Sequence, residues 1–325
     1  MTITMTWLIG LLMLLAGAQT PLSAPGAPGQ AGATVNAPRE AMGTSVEPDS
    51  RVWFTLRGGM LAETAWLRPG ASQSRMLMFA VTDGRSFVTG ENDPAMVRQL
   101  ILPNPRALVF RQSSFHPTRR FSLSKTYITS HDSETLLIDV EFNGQPGQQL
   151  YVIFDPALAG TDLKDTAAAY GGQGAFVMYE GAYAGALIAS MGFDELSAGF
   201  QGTTSDGWAD LRRNYRLTKQ YTRAAGGNVI CVARIRRPEA AEGTALRFTM
   251  ALSFSDQPET ALTDAEHALE KDFAEVRGKY EKGWMDWLAR QPRPATTEEN
   301  ALNMAAMLLR AQEEKVGRAQ IRHGR

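Results

Sequence analysis

Ser50-Arg51-Val52-Trp53-Phe54-Thr55-Leu56-Arg57-Gly58-Gly59-Met60-Leu61-Ala62-Glu63 is the stretch on which the fold turns. In an extended chain Val52, Phe54 and Leu56 share one side, and Arg51, Trp53 and Thr55 the other. A period of two running into Gly-Gly is the pattern of a strand and hairpin. The same grammar continues to Phe254. Residues 76–82 read as a strand before the hairpin dipeptide Asp83-Gly84. Leu136, Ile138, Val140 and Phe142 alternate with Thr135, Leu137, Asp139 and Glu141 until Asn143-Gly144, and Leu246, Phe248, Met250, Leu252 and Phe254 alternate again. Shorter strand patterns fall at residues 107–112, 121–129, 149–154, 175–180, 186–191 and 228–235. So many strands without helical patterns between them specify antiparallel sheets stacked as a sandwich, not βαβ units.

The grammar changes at Thr260. Thr263 with Glu266 fits a capping box, and Ala265, Leu269, Phe273, Val276, Tyr280 and Trp284 follow at helical spacing, with Trp287 and Leu288 on the packed face. Pro292 and Pro294 break this helix. Thr296 with Glu299 fits a second box, opening a helix to about Lys315 with Ala301, Leu302, Ala305, Leu308 and Leu309 as its apolar stripe.

The 325 residues carry 33 basic and 34 acidic side chains, a balance that calls for neither nucleic acid nor an anionic membrane. A single cysteine, Cys231, excludes an intramolecular disulfide and reads as a small core residue. Residues 7–16 form an apolar run followed by Ala16-Gly17-Ala18 and Leu22-Ser23-Ala24. The run is shorter than the ~20 residues of a membrane span and matches the core and cleavage region of a secretory leader. Residues 1–24 are therefore read as a signal peptide, although no Lys or Arg precedes Arg39. The mature protein is expected in the periplasm or outside the cell. Residues 25–40, rich in Pro, Gly and Ala, read as a tether or extended lead-in.

Several motifs resemble one family. Ser50, Val52-Trp53-Phe54-Thr55-Leu56, Gly59, Leu61, Glu63 and Val81-Thr82-Asp83-Gly84 look like the opening of bacterial glucoamylases and glucodextranases of glycoside hydrolase family 15. Gly26-Ala27-Pro28-Gly29, Tyr151-Val152, Asp155-Pro156-Ala157-Leu158 and Ser205-Asp206-Gly207-Trp208-Ala209-Asp210-Leu211 are similar to further motifs of that family. The segment 305–315 resembles the first helix of its catalytic barrel. The resemblance implies a galactose-mutarotase-like super-β-sandwich over residues 41–258, a helical linker over 259–295, and the first helix of an (α/α)6-barrel over 296–325. It implies α-glucan or oligosaccharide substrates and a catalytic barrel in cis or as a separate fragment. The chain is expected to be truncated one helix into that barrel and inactive alone. Where the family reads two aromatics, this chain has Ala65 and Trp66, followed by Leu67 and Arg68.

No residue inherits a catalytic role, because the family's two carboxylates lie beyond Arg325. The candidates for a glycan or barrel contact are Asp206, Trp208, Trp66 and Arg68. An indole face stacks on sugar rings and a carboxylate accepts their hydroxyls, but Asp206-Gly207 also reads as a turn with Trp208 packed beside it. His116, His131, His267 and His323 show no metal-ligand spacing, and no Asp run has Ca2+-loop spacing, so no cofactor or metal is expected. His116 and His131 with a nearby Glu suit a mutarotase-like acid–base pair only by analogy of fold.

Overall fold

The computed structural model describes residues 22–32, 38–161, 163–170, 174–238, 245–292 and 298–315. The leader reading at residues 1–21, the glycines 171–173, Thr296 and His323 lie outside these. The first strands are β1 (Ala41–Thr44), β2 (Val52–Arg57), β3 (Met60–Trp66), β4 (Ser72–Thr82), β5 (Val88–Gly90) and β6 (Val97–Ile101). Next come β7 (Phe110–His116), β8 (Phe121–Thr129), β9 (Thr135–Asn143), β10 (Gln149–Pro156), β11 (Asp165–Tyr170) and β12 (Ala175–Glu180). The series closes with β13 (Tyr183–Ala189), β14 (Phe193–Phe200), β15 (Arg223–Gly227), β16 (Val229–Ile235) and β17 (Leu246–Ser255). Helix α1 (Gly207–Asn214) interrupts them, and α2 (Pro258–Glu270), α3 (Phe273–Ala289) and α4 (Glu299–Ala311) follow.

These strands make two antiparallel sheets. The eight-stranded sheet runs β1-β2-β3-β4-β10-β16-β14, with β5 beside β4, and the nine-stranded sheet runs β15-β11-β12-β13-β17-β9-β8-β7-β6. Leu77, Phe79 and Val81 of β4 face Leu136, Ile138 and Val140 of β9 across one continuous core. Burial of such aliphatic and aromatic faces, at about 25 cal/mol per Å2, is the main force holding the sheets together. On the outer side of the eight-stranded sheet, Met78, Ala80, Tyr151, Ile153, Ile230 and Val232 make a second cluster under Leu211 of α1.

Four features depart from the sequence reading. Trp53, on the side of β2 opposite the core, is buried because α4 covers that face. Thr263 does not cap a helix: α2 begins at Pro258, whose fixed φ and missing N–H suit a first helical position. The predicted long helix is two helices, since Asp272 accepts the Glu275 amide at 3.0 Å and starts α3 afresh. Residues 22–30 are also no loose tether. The Leu22 carbonyl accepts the Thr222 amide at 3.0 Å, the Pro28 carbonyl accepts the Asn228 amide at 2.7 Å, and the Gln30 amide donates to the Gln201 carbonyl at 3.0 Å.

Candidate functional site

A cluster of long-range polar contacts lies where α3 and α4 meet the edge strand β1, around Thr44. Tyr280 on α3 places its hydroxyl 2.7 Å from the Thr44 carbonyl and 3.0 Å from the Leu108 carbonyl, its one proton serving one of them at a time. Trp284, one turn on, donates Nε1 to the same Thr44 carbonyl at 3.0 Å. The Thr44 hydroxyl donates to the Val52 carbonyl at 2.6 Å and accepts from Lys315 Nζ at 2.6 Å. Lys315 also donates to the Ser50 carbonyl and lies 4.7 Å from the Trp53 ring centre, while Trp53 Nε1 donates to the Ala311 carbonyl at 2.7 Å. Burial pushes the Lys315 ammonium down to about 7, against the pull of Glu134, itself paired with Arg51 at 2.6 Å. This is a seat: α3, and Lys315 just past α4, clamp one strand end through one threonine. Thr44→Val is expected to lower folding stability by about 1–3 kcal/mol in urea denaturation, and Thr44→Ser to restore most of it.

The four residues named from sequence do not assemble into one site. Asp206 caps α1, its Oδ1 accepting the Ala209 amide at 3.0 Å and its Oδ2 the Gly202 amide at 2.8 Å. Its loop is held close to β14: a Cβ on Gly199 would stand 1.8 Å from the Ser205 carbonyl oxygen, so only glycine fits there. Trp208 packs beside Met78 and Gly90 on the outer face of the eight-stranded sheet, with the Arg212 guanidinium 5.1 Å from its ring centre. Trp66 is buried between the sheets, edge-on to Tyr183 at 5.9 Å and stacked on Phe254 at 6.4 Å. Arg68 stands exposed in the turn after β3. His116 accepts the Arg119 amide on Nδ1 at 3.1 Å at one end of β8, whereas His131 lies past the other end. Nine residues of strand at ~3.3 Å each separate them by about 30 Å, too far to act as a pair.

A buried ion pair escaped the sequence reading. Lys125 on β8 reaches across the core to Glu91, Nζ to Oε1 2.6 Å, and donates to the Gly59 carbonyl at 2.6 Å. Glu91 Oε2 accepts the Phe79 amide at 2.8 Å, and the Phe79 and Tyr127 rings flank the ammonium at 5.7 and 5.8 Å. Burial pushes the carboxyl up and the ammonium down, and each offsets that for the other. The pair bolts one sheet to the other.

A cleft of about 690 Å3 lies over Asp83, Arg85, Gln149, Glu195, Arg216 and Arg234. Its carboxylates are already engaged. Asp83 Oδ1 accepts the amides of Arg85, Ser86 and Phe87 at 3.0, 2.8 and 3.2 Å. Desolvation opposes ionisation of Asp83, but these bonds and the Ser86 hydroxyl outweigh it and hold the carboxyl well below the usual range. Glu195 takes the Tyr151 hydroxyl at 2.6 Å and Arg234 Nη1 at 2.7 Å. A second cleft, about 420 Å3, runs along α1 past Asp206, Asp210 and Lys219. Among the described residues no three His, Cys, Asp or Glu side chains are grouped to hold a metal ion, and no helix is long and apolar enough to cross a membrane.

Two large antiparallel sheets, one with its edge strand clamped by a helical extension, define the class: an N-terminal super-β-sandwich of the glucoamylase type. The chain belongs to the family "glucodextranase, domain N", whose model matches residues 24–289. It is 22% identical over 304 residues to the glucoamylase of Clostridium sp. (strain G0005), across 91% of this chain and 42% of that protein. The crystal structure of a bacterial glucoamylase complexed with acarbose superposes with a TM-score of 0.82 at 22% identity, over 91% of this chain and 44% of that one. A family GH92 α-mannosidase from Bacteroides thetaiotaomicron gives 0.52 at 11% identity, over 81% and 38%. The chain thus spans less than half the length of these relatives.

Proposed function

We propose that this chain is the N-terminal β-sandwich part of a secreted or periplasmic α-glucan exo-hydrolase of the glucoamylase or glucodextranase kind. Its role is to seat a catalytic α/α-barrel, in cis or as a separate fragment, and by itself it releases no glucose. The observation that carries this reading is α4, which is apolar on two sides. Met304, Met307, Leu308 and Ala311 pack toward the sandwich, yet Leu302 is 43% and Leu309 68% exposed, with Ala301 and Ala305 exposed beside them. A surface helix places polar groups on its outer face, whereas a helix with a second neighbour presents leucines there. The family match supports the same reading. Inverting glycoside hydrolysis needs a proton-donating carboxyl and a base about 6.5–9.5 Å apart. Asp83, locked as an acceptor in the 690 Å3 cleft, is a poor candidate for the first of them.

Incubated with maltooligosaccharides or isomaltooligosaccharides, the purified chain is expected to yield no glucose above the blank; release of glucose would sink the supporting role. With this stripe uncovered, the purified chain is expected to self-associate in sedimentation, and Leu302→Glu with Leu309→Glu to abolish that while leaving stability within about 0.5 kcal/mol, as for other exposed positions. If both proteins sediment alike, the stripe is not a docking face. The runner-up is a free-standing carbohydrate-binding module using the 690 Å3 cleft, whose Gln149 and Arg216 suit sugar hydroxyls. Among the described residues no aromatic ring lines that cleft to stack on a pyranose face, and this favours the seat. Maltooligosaccharide binding by calorimetry, lost in Arg216→Ala, would reverse the preference.

A further inference from the structure

We infer that the leader is removed after Ala18, not after Ala24, so that the mature chain begins at Gln19. The inference rests on the secreted reading above. Two independent observations converge on it.

The first is the chemistry of the two possible cuts. Leader peptidases read small side chains one and three residues before the scissile bond, close behind the apolar core. Ala16-Gly17-Ala18 supplies alanine at both positions directly after the run ending Leu14-Leu15. Leu22-Ser23-Ala24 puts leucine three residues before the bond and lies further from the run.

The second is the fold. Leu22, Ser23 and Ala24 are built into the nine-stranded sheet as an added edge beside β15. The Leu22 carbonyl accepts the Thr222 amide at 3.0 Å, Ser23 makes a parallel bridge to Arg223, and the Ala24 amide donates to the Arg223 carbonyl at 2.7 Å. The path continues without a break: the Pro25 carbonyl accepts the Ser205 hydroxyl at 2.7 Å, and the Pro28 carbonyl accepts the Asn228 amide at 2.7 Å. Asn228 Nδ2 then donates to the Gln30 carbonyl. A cut after Ala24 removes the partners of the Thr222 amide and the Arg223 carbonyl and leaves a charged terminus on Pro25, beside the Ser205 contact. A cut after Ala18 leaves every one of these bonds in place, with Gln19, Thr20 and Pro21 as a short lead. Residues 22–30 thus belong to the folded domain, and the sheet edge at β15 is protected by the mature N-terminus itself.

The test is to express the full chain with its own leader in an exporting bacterium and read the tryptic N-terminal peptide of the exported protein by mass spectrometry. The expected peptide runs from Gln19 to Arg39, the first basic residue. It is expected either unmodified or as the lactam formed when the Gln19 α-amine attacks its own side-chain amide carbon and ammonia leaves. A peptide beginning at Pro25 overturns this inference and leaves export standing. An intact Met1 terminus overturns the export reading itself. Ala18→Phe is expected to leave the precursor uncut, and processing of that variant at the wild-type rate also overturns the inference.

Discussion

Lys125→Met is expected to cost about 3–5 kcal/mol of folding stability, because it strands the Glu91 carboxylate in a dry core. Glu91 keeps the Phe79 amide at 2.8 Å and the weaker pull of the Arg98 charge, and the Gly59 carbonyl loses its donor. Combining Lys125→Met with Glu91→Gln removes the lone charge while keeping an acceptor for Phe79. The double variant is expected to recover about 1–3 kcal/mol relative to Lys125→Met alone. Urea unfolding of the single variants and the double variant measures both figures. A single-variant cost under about 1 kcal/mol would mean that the pair does not bolt the sheets.

Asp165→Asn is expected to change how stability depends on pH. Asp165 is fully buried at the start of β11; its Oδ1 accepts the Leu158 amide at 3.1 Å, and Oδ2 has no hydrogen-bond partner among the described residues. Burial pushes this carboxyl from 3.8 up to about 8, with the Glu180 and Asp155 charges adding to the rise and the Leu158 amide and Arg75 opposing it. Because the folded value lies above the unfolded one, the folded state holds the proton more tightly. The stabilisation is complete below about 4 and drains away as pH rises through about 8. Each tenfold difference in proton affinity is worth roughly 1.4 kcal/mol, so the change across that window amounts to several kcal/mol. Asparagine keeps the acceptor and never ionises. The melting-temperature difference, variant minus wild type, is therefore expected to grow from pH 5 to pH 9 by several degrees. A flat difference would show that Asp165 does not titrate in the folded state.

The two-sheet architecture was legible because most strands announce themselves by parity. Leu246 to Phe254 carries the cleanest alternation, Leu136 to Phe142 alternates apart from Leu137, and both are strands. Strands with weak parity were not legible. β6 reads Val97-Arg98-Gln99-Leu100-Ile101, and Arg98 turns inward to donate to the Glu91 carbonyl at 2.9 and 2.6 Å. β11 reads Asp165-Thr166-Ala167-Ala168-Ala169-Tyr170, too poor in large side chains for any period to show. β14 opens with Phe193-Asp194-Glu195, whose acids face Arg234 on the next strand.

The buried bolt left a signal that could have been read. Phe121, Leu123, Lys125 and Tyr127 share one parity, so a lysine stands where the pattern demands a core residue, and an inward lysine needs a carboxylate. Its partner Glu91 lies 34 positions earlier in a turn, and no local rule points to it. The seat at Thr44 was illegible for the same reason. Parity puts Trp53 on the side of β2 shared with Arg51 and Thr55, and the helix that covers that side comes some 250 residues later.

That separation has a kinetic consequence. Trp53 bonds a residue 258 positions away, and Lys315 reaches back 271 positions to Thr44 and 265 to Ser50. Contacts of this span carry the full entropy of closing a very large loop, and chains rich in them fold slowly. The face of β2 that bears Trp53 is among the first apolar surfaces to be synthesised and among the last to be covered. During synthesis, Tyr280 and Trp284 can reach Thr44 of β1 as soon as α3 is made, but the Trp53 face remains open to any other chain until residues 311–315 arrive. The interval between those two moments is when this domain is most exposed to aggregation.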